Sequence, residues 1–186
     1  TLTYPVSEAA TLQGVQLARQ AGALVSFDPN LRFSLWPDPA TARTKIEPLL
    51  GSADVLKVGE EELAFLLETE DEQRAVGQLL ERGTGLVVVT RGKDGSSFYT
   101  RHGQGHVPVP KVKAVDATGA GDAFVGGLLL GLAELNLDRG SLERLDAQTL
   151  ESLLRFANAC GAITATGRGA IPSLPTRQQV EALGRS

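Results

Sequence analysis

Apolar and polar positions recur along this chain at two periods, and the switches between them outline its elements. Over Ser7 to Ala21 the apolar residues Ala10, Val15, Leu17, Ala18 and Ala21 fall at helical spacing, and Gly22 ends the segment. The run from Ala23 to Phe27 is short and apolar. It predicts a buried strand, closed by the turn residues Asp28, Pro29 and Asn30. Helices are predicted over Pro39 to Leu50, Glu60 to Leu67 and Gln73 to Arg82, with strands at Val55 to Val58 and Leu86 to Thr90. Lys93-Asp94-Gly95 predicts a hairpin turn into a strand over Ser96 to Thr100, and another strand is expected around His106 to Val109. A helix carrying Asp122, a long one over Thr149 to Ala165 and a last one over Thr176 to Leu183 complete the pattern.

Short apolar strands that alternate with helices predict an α/β fold with a mostly parallel sheet covered on both faces. In such sheets ligands sit at the carboxyl ends of the strands. Those ends carry DPNLR, VGEEE, TRGKDG and DATGAGD, so four polar loops outline a site.

Composition narrows the classes of function. The chain has 186 residues, 42% hydrophobic and 22% charged, as expected of a single α/β domain with a sizeable core. A net charge of −4 and a pI of about 5.2 argue against a nucleic-acid partner, which needs a basic face. The longest uncharged apolar run, Ala123 to Ala133, falls well short of the roughly 20 residues of a membrane span. A single cysteine, Cys160, has no internal disulfide partner and fits the reducing cytoplasm. The chain contains no Met and opens on Thr1 in what reads as mid-domain sequence, which predicts a piece of a longer protein.

The chemistry concentrates in DATGAGD. Backbone N–H groups at a helix start lack internal partners and lie at the positive end of the dipole, so they receive anions. Gly119, Ala120 and Gly121 carry almost no side chain, which lets a phosphate oxygen approach. Asp122 then poses a conflict, because a carboxylate repels phosphate. The conflict disappears if Asp122 takes the proton of a hydroxyl as that hydroxyl attacks phosphorus. Taken alone, the stretch also fits an ordinary glycine-rich helix start with an acid in its first turn. No GxxxxGK[ST] loop is present, and GAGDAF does not meet the GxGxxG spacing.

VDATGAGDAFVGG resembles the second signature of the PfkB (ribokinase-like) carbohydrate kinases. GALVSFDPNLRFSLW, ADVLKVGEEELAFL, VVVTRGKDG and GAITATGRGAIPSLPT agree with that family in order. The resemblance implies a three-layer αβα sandwich. It also implies that this chain is the C-terminal portion of the family's fold, with the N-terminal part and the lid absent. Asp122 would be the catalytic base and Gly119, Ala120 and Gly121 the anion hole, while Thr90 and Gly92 would line the nucleotide site. Glu62 would organise Mg²⁺ through water, although Gly59 stands where the family's N-x-x-E motif carries Asn. A monovalent cation such as K⁺ is expected among Asp116, Thr118, Thr164, Gly169 and Ser173. Asn158 faces either the adenine or solvent. DPNLR followed by Trp36 resembles the fructokinase and 2-keto-3-deoxygluconate kinase branch, and Arg32 would reach a phosphate or substrate carboxylate, or else pair with a neighbouring acid. Trp36 and Cys160 are expected to pack, and His102 and His106 to face solvent.

The implied function is ATP-dependent phosphorylation of a sugar's primary hydroxyl, with fructose to fructose 6-phosphate the leading expectation. The alternatives are 2-keto-3-deoxygluconate kinase and a non-catalytic nucleotide-binding fragment. Expected partners are a sugar and ATP, with no nucleic acid or membrane, and a homodimer would form through the absent lid.

Overall fold

The structure is a computed structural model that describes residues 2–184. Its elements in chain order are α1 (Pro5–Gln20), β1 (Ser26–Phe27), α2 (Pro39–Leu50), β2 (Val55–Gly59), α3 (Glu60–Leu67), α4 (Glu72–Glu81), β3 (Leu86–Thr90), β4 (Ser96–Thr100) and β5 (Gly103–Val107). They continue with α5 (Ala120–Glu134), α6 (Arg139–Leu142), α7 (Ala147–Thr164) and α8 (Arg177–Leu183). Short 3₁₀ turns lie at Phe33–Leu35, Gly92–Asp94 and Ile171–Ser173.

The strands form one sheet in the order β1-β2-β3-β4-β5. β1 runs parallel to β2, with Ser26 opposite Val55, and β2 runs parallel to β3, with Val55 opposite Leu86 and Gly59 opposite Thr90. Only Arg101 and His102 join β4 to β5, and so short a link requires an antiparallel pair. The sheet is therefore mixed, with its parallel part in the first three strands.

The chain forms two compact units. The first holds residues 2–90 together with Tyr99–His102 and Asp138–Arg144, and the second holds the remaining described residues. In the first unit, Leu56, Val58, Val87 and Val89 on one sheet face meet Ile46, Leu49 and Leu50 of α2, Leu63 and Leu66 of α3, and Val76 and Leu79 of α4. Val55, Leu86 and Val88 point the opposite way and are just as buried. Both faces are thus covered, which is why these strands read as continuous apolar runs. In the second unit α7 packs closely on α5. A Cβ added at Gly127 would lie 2.8 Å from the Cys160 Sγ and 3.2 Å from the Ala157 Cα. Ala123, Ala159, Cys160 and Val180 form a cluster that brings in α8, so Cys160 is core as expected.

Two expectations need correction, and one element is new. Ala23 to Phe27 is not a buried strand: only Ser26–Phe27 pairs, and Ser26 is exposed. Among the described residues β1 has one neighbour, β2, and its other edge forms no ladder. The strand expected around His106 to Val109 is Gly103–Val107, because Pro108 and Pro110 have no N–H to offer a ladder. α6 was not anticipated. It is a single turn started by Asp138, whose carboxylate accepts the Ser141 N–H. No described helix is long and apolar enough to cross a membrane.

Candidate active site

In the second unit the site is built around the start of α5. Gly119 caps the helix with φ 79°, a left-handed backbone that side chains rarely adopt, and a Cβ there would lie 2.6 Å from the Ala170 Cβ. Glycine is therefore required at this position on two counts. Asp122 lies in the first turn with its side chain exposed. Among the described residues, the N–H groups of Gly119, Gly121 and Asp122 donate to no protein group, so these donors are open. Ala120 departs from expectation. Its N–H donates to the Ala117 carbonyl at 3.1 Å, closing the turn that enters the helix, and it is removed from the open donors. The Asp122 N–H takes its place.

Asp116 organises the loop before that helix. One of its oxygens accepts the Thr118 N–H at 2.9 Å and the Thr118 hydroxyl at 2.6 Å, and the other accepts the Gly169 N–H at 3.0 Å. The Thr118 hydroxyl, then the Gly169 and Thr118 N–H groups, hold the Asp116 carboxyl down to about 2. The Val115 and Asp116 N–H groups donate to the Ala165 carbonyl, lacing the two loops together. Ser173 Oγ donates to the Arg168 carbonyl at 3.1 Å and sits in space that a side chain on Gly167 would fill. Asp116, Thr118, Gly169 and Ser173 thus lie on two interlaced segments rich in oxygen, a donor set that fits a large monovalent cation. Thr164 does not fit. It is fully buried in α7, and its hydroxyl donates to the Cys160 carbonyl one turn back.

Asn158 does not face solvent. It is 4% exposed, its Oδ1 accepts the Ser96 hydroxyl at 3.1 Å and its Nδ2 donates to the Val107 carbonyl at 2.9 Å. Both ends of the amide pin α7 to the β4–β5 hairpin. Gly92 opens the 3₁₀ turn with φ 52°, and the Arg91 N–H donates to the Gly95 carbonyl at 2.8 Å to close the hairpin. His106 is exposed, with Nδ1 3.1 Å from the Ser97 hydroxyl.

The first unit holds the other candidates. Thr90 ends β3, and its hydroxyl donates to the Val58 carbonyl at 3.3 Å. Glu62 accepts the Gly59 N–H at 2.8 Å and the Leu31 N–H at 2.6 Å, one on each oxygen. It therefore caps α3 and holds the DPNLR turn at once. Each oxygen keeps lone pairs for a bound water. Among the described residues no three His, Cys, Asp or Glu side chains cluster to hold a metal. Arg32 is exposed and makes no ion pair with any described residue, which removes the expected pairing with an acid. Trp36 packs on the core of the unit as expected.

Sequence reasoning passed over one pair. Lys57 lies 3.4 Å from both oxygens of Asp28, with side chains 11% and 17% exposed. Burial pushes the Asp28 carboxyl above its usual range, Lys57 pulls it back, and Glu62 adds to the rise. The signal was a lysine inside the otherwise apolar β2. The unit also has a cleft of about 570 Å³ lined by Leu12, Val15, Arg19, Ser52 and Arg139. It contains none of the residues above, so the chemistry points to the strand ends instead.

Residues 2–177 match the pfkB family carbohydrate kinases. Fructokinase-1 of Oryza sativa subsp. japonica is 49% identical over 172 residues, which are 92% of this chain and 52% of that protein. The chain thus spans about half the length of this curated relative. Among solved structures, a fructokinase from Vibrio cholerae O395 in its fructose-, ADP- and potassium-bound form aligns with TM-score 0.88 and 36% identity, over 98% of this chain and 57% of that one. A fructokinase from Xylella fastidiosa with bound ATP aligns with TM-score 0.89 and 36% identity, over 96% and 56%. The ribokinase-like αβα fold follows from these neighbours, and with a family match over nearly every described residue the chain belongs to the pfkB carbohydrate kinases.

Proposed function

We propose that this chain supplies the nucleotide-binding and general-base portion of an ATP-dependent sugar kinase that converts fructose to fructose 6-phosphate. One observation carries the reading: an exposed carboxylate, Asp122, at a helix start whose neighbouring N–H groups are open. The relative named fructokinase and the neighbour with fructose and ADP bound support the substrate pair. A cytoplasmic location accords with the single buried cysteine.

In this mechanism the sugar's primary hydroxyl lies beside Asp122, which accepts its proton as the oxygen attacks the γ-phosphorus of ATP. The N–H groups of Gly119, Gly121 and Asp122 and the positive end of α5 receive the transferring phosphoryl oxygens. ADP departs as the leaving group. Mg²⁺, when bound, neutralises charge on the phosphates, and Glu62 would hold one of its waters. Asp116, Thr118, Gly169 and Ser173 would hold K⁺, whose charge at the loop would favour the anion. Thr90 and Gly92 border the nucleotide.

Asp122→Asn is the test. Turnover should fall by about 10²–10⁴-fold while ATP affinity stays within a few-fold of the unsubstituted protein. Undiminished turnover would overturn the base assignment, and ATP binding without any turnover in the unsubstituted protein would favour a non-catalytic fragment. The unpaired, exposed Arg32 also supports a second reading, 2-keto-3-deoxygluconate as the acceptor, with Arg32 on its carboxylate. Arg32→Ala would then impair the keto-acid reaction far more than the fructose reaction.

A further inference from the structure

Lys57 is the one buried cation among the described residues. It stands in β2 opposite Val88 of β3, and burying an ammonium is costly unless it is paired. Its position therefore calls for a reason beyond the sheet. Continuing the β1–β2 register past Phe27 and Leu56 brings Asp28 opposite Lys57, where the two side chains meet.

From Asp28 the connections run outward along the DPNLR turn. Asp28 Oδ1 accepts the Asn30 N–H at 3.1 Å, and Asn30 has the left-handed φ of 43°. The next residue, Leu31, donates its N–H to Glu62 at 2.6 Å. The turn is thus fastened at one end by Lys57 and at the other by Glu62. Arg32 leaves it in an extended conformation, its carbonyl accepts the Leu35 N–H, and its guanidinium is exposed without an acid partner. A strained turn held at both ends delivers a free cation.

We propose that Lys57 is a positioning residue for phosphoryl transfer: by holding Asp28 it sets the turn that aims Arg32. The proposal rests on the sugar-kinase reading and adds to it that Arg32 meets the transferring phosphate, whichever sugar accepts it. Lys57 itself does not touch the reacting atoms.

Double-mutant kinetics with fructose and ATP, combined with amide exchange at Leu31 followed by NMR, test it. Lys57→Met should lower kcat by about tenfold or more with the KM for ATP within twofold, because small misplacements of a positioned group are costly. In an Arg32→Ala background the same substitution should change kcat by less than about twofold. An equal loss in both backgrounds overturns the proposal. Lys57→Met combined with Asp28→Asn removes both charges of the pair, so it should regain melting temperature without regaining kcat. Recovery of both together shows a purely structural role and overturns the proposal. Should Lys57→Met alone fail to fold, this double variant carries the comparison.

Leu31 exchange should quicken by about tenfold or more in the Lys57 variants, and unchanged protection overturns the proposal. If Arg32→Ala leaves turnover intact, the proposal falls and the kinase reading stands. If the unsubstituted protein shows no turnover, the kinase reading falls, and Leu31 exchange then decides whether Lys57 sets the turn.

Discussion

Gly59 stands where the related motif carries Asn, yet its backbone does not demand glycine. With φ −79° and ψ 159° it is ordinary extended chain, and an added Cβ would lie 3.4 Å from the Glu62 Oε2, a normal contact. Gly59→Asn should therefore fold with a melting temperature within a few degrees of the unsubstituted protein. Asn158 behaves oppositely. Its replacement by Ala strands the Val107 carbonyl and the Ser96 hydroxyl in the interior and should cost about 2–3 kcal/mol, read by urea unfolding. ATP affinity of the folded variant should stay nearly constant, and a large loss would restore the adenine role. Nothing local in the sequence separates these two residues. Each is a small or polar residue beside a recognised motif, and only the partners of each decide what it does.

At the scale of elements, the glycines of α5 are not equivalent. Gly127 is pressed against α7, so Gly127→Ala should destabilise by about 1–3 kcal/mol as the two helices are forced apart. Gly126 has nothing within 4 Å of an added Cβ, and its exposed position carries only the helix penalty of glycine. Gly126→Ala should stabilise by about 1 kcal/mol. Thermal melts of the two variants should move in opposite directions. A stripe of small residues in sequence therefore reports close packing, without saying which members make the contact. Strand ends follow the same rule. Leu86–Thr90 and Ser96–Thr100 fall where pattern and punctuation predict them, whereas β1 pairs only over Ser26–Phe27.

For the whole molecule, three helix caps join Asp116 in the acid response. Asp38, Asp138 and Asp146 each accept bonds at a helix start and have lowered carboxyl pKa values. The Thr41 hydroxyl leads for Asp38, the Ser141 hydroxyl for Asp138 and the Thr149 N–H for Asp146. A depressed folded-state value means the stabilisation is complete above 3.8, the ordinary value, and is lost as pH falls through the lowered one. Melting temperature should therefore decline on acidification from about pH 4 toward pH 2. A triple Asp→Asn variant at these sites keeps the caps but cannot titrate, so its curve should be flatter over that range. An equally steep curve would assign the acid response to other carboxylates.

The sequence by itself determined the α/β alternation, the spans of α2, α3, β3 and β4, and the place of DATGAGD at a helix start. Those features depend on neighbours within a turn or two, namely apolar period, punctuation, and a glycine forced by a left-handed backbone at Gly119. The tertiary structure alone decided which candidates are available for chemistry. It closed Ala120 and Thr164 within their own turns, buried Asn158 against a hairpin, left Arg32 unpaired, and joined Lys57 to Asp28. Hydrogen-bond partners and desolvation come from residues far away in the chain, such as the 51 positions between Val107 and Asn158. No local pattern of residue types encodes them.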